Sequence, residues 1–194
     1  MKPGIFLGLP QKHIFTIPRC FGYNIMHLVS LNIPDLLISL WRGTIDCDKN
    51  DDQNTWGWAV LRGDTWTTHG QAVASVMPYL PGSFDRPPCN PAEKINSSYK
   101  AWEFLMYIFG LGPGLFYNVL PRNYWRNFCK LVFAVRVLHQ HKIAAGLLQA
   151  AHQALLDFVV EFEMIYCERR ISRIHFVQPC LHTIIHAAPE VIPS

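Results

Sequence analysis

The chain has 194 residues, a formal charge of +3 and 50% hydrophobic residues, with six Trp, seven Tyr and twelve Phe. That length buries one sizeable core or two small ones, and that composition excludes a disordered chain. The charged fraction of 16% is low for a soluble domain, and the small net charge does not by itself point to nucleic acid as a partner.

Residues 1–20 read as extended or irregular, interrupted by Pro3, Gly4, Gly8, Pro10 and Pro18. The opening lacks the apolar h-region of a secretory signal, so a nuclear or cytoplasmic protein is expected, not a secreted one. A first helix is expected from about Tyr23 to Val29 or Leu31, with Asn24 near its start. A second follows with Asn32 as cap and Pro34 in its first turn, and stops at Gly43. Residues 44–56, TIDCDKNDDQNTW, carry Asp46, Asp48, Asp51 and Asp52. Set against a calcium loop, they put Asp51 where Gly is required and Gly57 where a bidentate Glu belongs, so a solvated acidic loop is expected. Short strands are expected at most near 1–20 and 56–62. TWTTHGQAVASVMPYL predicts a helix from about Thr67 to Met77, capped by Thr67 or Thr68. PGSFDRPPCNP, residues 81–91, reads as an irregular linker in which Phe84 packs along a surface.

The later residues read as helices. A helix is predicted over 98–109, starting near Ser97 or Ser98, and GLGPG at 110–114 reads as a turn. That turn also breaks the uncharged run 104–120 before it reaches the length of a membrane span, and no membrane partner is expected. Tyr124, Phe128, Leu131, Val135 and Leu138 recur at steps of four and three, which predicts an amphipathic helix over 123–140. Leu147, Ala151, Ala154, Leu155, Phe158, Phe162 and Ile165 line one face of a helix over 143–168. A further helix is expected over 180–187, with Pro179 in its first turn. Short joints make such helices antiparallel neighbours. The reading is mainly α, with a bundle-like C-terminal half, and a division into 1–92 and 93–194.

Few residues suggest chemistry. His182 and His186 stand one helical turn apart, a workable metal-ligand spacing, but the Glu of an HExxH site is absent between them. Cys167 is the thiol expected to approach them. The expectation is no metal, with at least one ring buried where their helix meets the 143–168 helix. Glu103, between Trp102 and Phe104, stands either at the helix margin or buried with a partner; as a surface Glu it has no role in chemistry, as a carboxylate aimed at a divalent metal it does, and one Glu cannot build a two-metal site. Arg169, Arg170 and Arg173 follow the end of a helix, where its dipole favours cations, and a phosphate is the other partner they could take. The six cysteines are widely spaced, which favours reduced core thiols over disulfides. Low charge and many aromatics suggest apolar surface that a protein partner covers.

Three stretches in order carry a resemblance: FGYNIMHLVSLNIPDLLISLWRGTIDCD, MPYLPGSFDRPPCNPAEKINSSYKAWEF and GLGPGLFYNVLPRNYWRNFCKLVFAVRVLHQHKI. With the tail EFEMIYCERRISRIHFVQPCLHTIIH they cover roughly residues 17–186. The chain resembles the C-terminal part of CACTA-type DNA transposases of mushroom-forming fungi, including the helical domain that follows their catalytic core. The resemblance implies an incomplete remnant of an RNase H-like core on the N-terminal side. It implies that His27 matches the His of an Asp-x-x-His signature, that Asn24 replaces its Asp, and that Glu103 matches the last acid of a DDE triad. The earlier acids of that triad are expected upstream of these residues. Magnesium or manganese, and DNA, are implied only for an intact parent transposase. The expected function is therefore a transposon-derived, non-catalytic fragment. The alternatives are the C-terminal part of an active transposase, or a helical module that binds protein or associates with DNA.

Overall fold

The computed structural model describes residues 24–82 and 87–190. The strand expected near 1–20 and the packing of Phe84 lie outside the described residues. Among the described residues the fold is mainly helical, with no strand.

The two helices expected before Gly43 are one, α1 (25–42). Ile25–His27 runs into Ile33–Arg42 through a π-helical segment, Leu28–Asn32. Pro34 gives the physical reason. It has no N–H, and its ring would press on the Ser30 carbonyl, so the turn before it widens and the Ile33 amide reaches back five residues to Leu28. Asn32 is thus inside the helix and caps nothing. Asn24 does cap, its Oδ1 accepting from the His27 N–H at 3.1 Å. Gly43, with φ of 64°, closes α1 in the left-handed region and donates to the Ser39 and Leu40 carbonyls.

Residues 56–62 are not a strand. Ala59 N–H donates to the Trp56 carbonyl at 3.0 Å and Val60 N–H to that of Trp58 at 2.9 Å, so the chain turns on itself and has no ladder to join. The turn stacks Trp56 on Trp58, centroids 5.6 Å apart, and sends both rings inward. α2 (Gly63–Ser75) begins earlier than expected. Thr67 lies inside it and donates back to the Gly63 carbonyl at 3.4 Å instead of capping.

α3 (101–115) starts at Ala101, after a turn at Ser97 and Ser98, and carries GLGPG within it. Its middle, Leu105–Leu111, is π-helical, and Gly112–Leu115 continues it. Pro113 again denies an i−4 carbonyl its partner. That carbonyl, on Phe109, accepts from Arg136 Nε at 2.7 Å, and the Gly110 carbonyl accepts from Arg136 Nη2 at 2.6 Å. A glycine-proline stretch that reads as a stop is kept helical by an arginine on the next helix.

α4 (Arg122–Leu138) and α5 (145–167, its last turn π-helical over Glu163–Cys167) form the hairpin that the short joint suggests. Most of their predicted stripes are buried: Tyr124, Phe128, Leu131 and Val135 on α4 and Ala151, Leu155, Phe158 and Phe162 on α5 share one core cluster, while Leu138, Leu147, Ala154 and Ile165 are half-buried against it. The polar seam was not foreseen. Buried Asn127 donates to the Phe158 carbonyl at 2.9 Å, and Lys130 pairs with Glu161 at its edge. A 3-10 turn, Ile171–Phe176, and α6 (Pro179–Ile184) follow. Trp41 sits where α1, α3, α4 and α5 meet, fully buried, its Nε1–H on Tyr166 Oη at 2.9 Å and its ring against Phe116 and Phe128. One buried cluster runs from Leu28 to Ala188 and draws on residues either side of position 92.

Candidate functional site

The acidic loop is not simply solvated. The Asp51 side chain is 1% exposed and the Arg173 side chain 0%. Arg173 Nε and Nη2 donate to the two Asp51 oxygens at 2.7 and 2.9 Å, a bidentate pair. Nη2 also donates to Thr55 Oγ1 at 2.9 Å, and Nη1 to Glu168 Oε2 at 2.8 Å. Trp56 Nε1–H adds a bond to Asp51 at 2.8 Å, and the guanidinium lies 5.0 Å from the centre of the Trp58 ring. The hydrogen bond from Arg173 is the main cause that holds the Asp51 carboxyl at about 2, well below its ordinary value. Burial works against the Arg173 charge, but the bonds from Asp51 outweigh it and its pKa rises. The result is an electrostatic clamp between the 44–62 loop and the 168–176 segment. Reasoning from sequence missed it. One signal was present: Trp56 follows the loop, and a buried indole N–H needs an acceptor, which Asp51 supplies while Asp46, Asp48 and Asp52 stay exposed.

The clamp underlies a surface groove. Its walls are the outer side of the last turns of α5 and the 3-10 turn, and Val160, Met164, Ile171, Ile174 and Val177 line it with Cys167. It encloses about 620 Å³. Ile171 is 89% exposed and Ile174 68%. The chain enters this turn through two successive left-handed residues that are not glycine, Glu168 and Arg169, with φ of 51° and 57°. Such conformations are costly for L-residues and persist only where the surroundings enforce them. Here the Arg173–Glu168 bond does so.

The residues singled out from sequence fall elsewhere. Glu103 is buried, and its carboxylate accepts from the backbone N–H of Lys100 at 2.9 Å and of Cys89 at 3.2 Å. It caps the first turn of α3 and fastens the incoming 87–90 segment to it. It is thus neither on the surface nor open. His27 and Asn24 are exposed at the start of α1. The Ala101–Phe104 turn packs against Leu28–Asn32, so these two regions adjoin.

His182 and His186 are neighbours, Nε2 to Nε2 3.3 Å, on α6 and the turn that follows it. Neither ring is buried as expected: His182 is exposed and His186 half-exposed, because the inward positions of this turn are taken by Leu181 and Ile184. Among the described residues no three His, Cys, Asp or Glu side chains come together as a metal site, so Cys167 does not complete one with the pair. Burial pushes the Cys167 thiol up to about 11, and Cys180 likewise, so both are poor nucleophiles at neutral pH.

No helix among the described residues is long and apolar enough to cross a membrane. No family model, curated protein or solved structure matches the chain.

Proposed function

We propose that this chain is a transposase-derived helical module that acts by binding, without phosphodiester chemistry of its own. The observation that carries the reading is the commitment of the Glu103 carboxylate to two backbone N–H groups. Each Glu103 oxygen gives a lone pair to the fold, one to the start of the helix and one to the crossing segment, which accounts for the buried carboxylate without an ion. The transposase descent rests on the ordered motifs of the sequence. The groove at 160–177 supplies a surface for binding.

The test is direct. Duplex DNA incubated with the purified protein and magnesium or manganese is expected to remain uncut and unjoined, while E103Q lowers the melting temperature. Metal-dependent cutting that E103Q abolishes would overturn the reading.

A second reading is favoured by one contact, that of the Ala101–Phe104 turn, which carries Glu103, with Leu28–Asn32, the segment that follows Asn24 and His27 in the chain. In it, the chain is the C-terminal part of an active DDE-type transposase. A longer chain that carries the upstream acids would then cut DNA with magnesium or manganese and lose this in E103Q.

A further inference from the structure

The exposed apolar side chains of the groove come in two pairs. Val160 and Met164, 59% and 53% exposed, are four residues apart on the outer side of α5, and so lie one above the other. Ile171 and Ile174 are three residues apart on a 3-10 turn, where side chains at that spacing eclipse. Two apolar pairs lining one groove fit the ridge of an amphipathic helix.

The charges at the rim differ in their commitments. Arg173 is consumed by the clamp, and Arg170 stands 3.5 Å from Glu168 and 3.7 Å from Asp51. Arg169 is exposed and forms no ion pair among the described residues. Glu163 lines the same groove. The free cation calls for one carboxylate on the occupant, and Glu163 disfavours an acidic run. A second copy of this chain is a poor occupant, because a two-fold contact sets a concave face against itself and leaves the groove empty.

We infer that the groove between the end of α5 and the 171–176 turn docks an amphipathic helical segment of a partner protein. That segment places an apolar ridge in the groove and a single carboxylate against Arg169. The inference rests on the reading of the chain as a binding module and names its partner class. The clamp beneath the groove fixes one wall before binding, so little ordering is left to oppose association.

The probes are two fluorescein-labelled helical peptides with leucines at i, i+4 and i+7. One carries a single glutamate beside the ridge, the other a lysine at the same place. By fluorescence anisotropy the glutamate peptide is expected to bind about tenfold more tightly. R169E reverses the preference. I171D weakens both peptides by about tenfold or more, with an unchanged melting temperature, because Ile171 is 89% exposed and holds nothing in the core. Absence of binding by both peptides, or the same preference in R169E, overturns the inference. A dimer in sedimentation velocity that I171D dissolves assigns the face to a second copy instead. Salt-sensitive duplex binding lost in R169E assigns it to nucleic acid, and either result overturns a peptide partner. E103Q leaves peptide binding intact, so failure here is distinct from metal-dependent DNA cutting, which sinks the non-catalytic reading alone.

Discussion

Replacing Arg173 by Met tests the clamp most severely. Met retains an apolar stem of similar reach and removes the guanidinium. Four hydrogen bonds vanish, to Asp51 twice, to Thr55 and to Glu168. Asp51 then keeps the Trp56 indole N–H, the Asp52 backbone N–H at 3.0 Å and an Arg170 guanidinium 3.7 Å away, in a site where its side chain is 1% exposed. Removing one partner of a buried ion pair strands the other charge, at a cost of about 3–5 kcal/mol. For a chain of this size that lowers Tm by about 6–20 °C. D51N is expected to cost less, because Arg173 keeps Glu168, whose side chain is 41% exposed and can draw on water. The double variant should cost less than the two single losses together, by about 1 kcal/mol or more, since the stranded charge is gone. Urea unfolding followed by Trp fluorescence is the assay, and Trp56 and Trp58 lie on the clamp itself. The pH dependence supplies an independent arm. With Asp51 held at about 2 against an ordinary 3.8, its contribution is complete above pH 3.8 and is lost as pH falls towards 2. Without Arg173 the carboxyl moves up, and acid unfolding begins at higher pH. An R173M protein within about 1 kcal/mol of the parent, with an unmoved acid limb, would refute the clamp as a stabilising element.

Three further predictions concern the core. His69 is buried with Nε2 2.8 Å from Tyr107 Oη, and burial holds its pKa at about 4 against an ordinary 6.5. The unfolded chain therefore binds the extra proton first, so stability falls by about 3 kcal/mol from pH 6.5 to pH 4, a slope that H69F should lack in pH-dependent urea melts. Y166F removes the acceptor of the Trp41 indole N–H and should cost about 1–3 kcal/mol by the same melts, while a neutral result would mean that another acceptor takes its place. Gly-to-Ala changes inside helices normally stabilise, but at Gly70 a Cβ would meet Asn90 Oδ1 at 2.1 Å and Ala92 Cβ at 2.7 Å, so G70A should instead lower Tm in calorimetry.

Much of this architecture was legible. The stripes on α4 and α5 follow from apolar residues recurring at the helical period, and most of those residues are buried. The stop at Gly43 and the start at Pro179 follow from local backbone rules. The misreadings share one cause. By local rules Pro34 and Pro113 mark a helix start and a turn, since proline removes an N–H and displaces a carbonyl. In the folded chain a π turn absorbs the first and Arg136 satisfies the carbonyl freed by the second, a partner many residues away that no local window contains. The same holds for Glu103. Its sequence neighbours say only that an acid stands among aromatics. The Cys89 N–H that occupies it belongs to a segment that comes alongside only on folding.

The groove shows a different kind of blindness. A periodic stripe assigns the inner side of α5 and leaves the charges to the rest of its surface: Glu163 is exposed, Asp157 is half-buried, and Glu161 stands at the edge of the seam with α4. Val160 and Met164 are exposed as well, and nothing local requires them to be apolar. Alone they would be ordinary scattered surface residues. They become a surface feature because the chain, after Glu168 and Arg169, doubles back and sets Ile171 and Ile174 beside them. That reversal is held by Arg173, which reaches across the fold to an aspartate in the loop between α1 and α2. The exposed pairs thus depend on a buried charge pair that spans most of the chain. Breaking the clamp should therefore disorder the groove before it unfolds the α4–α5 hairpin, whose own packing does not use Arg173. R173M is expected to lose peptide binding at temperatures where its far-ultraviolet helix signal persists, and loss of both together would place the groove and the hairpin in one cooperative unit.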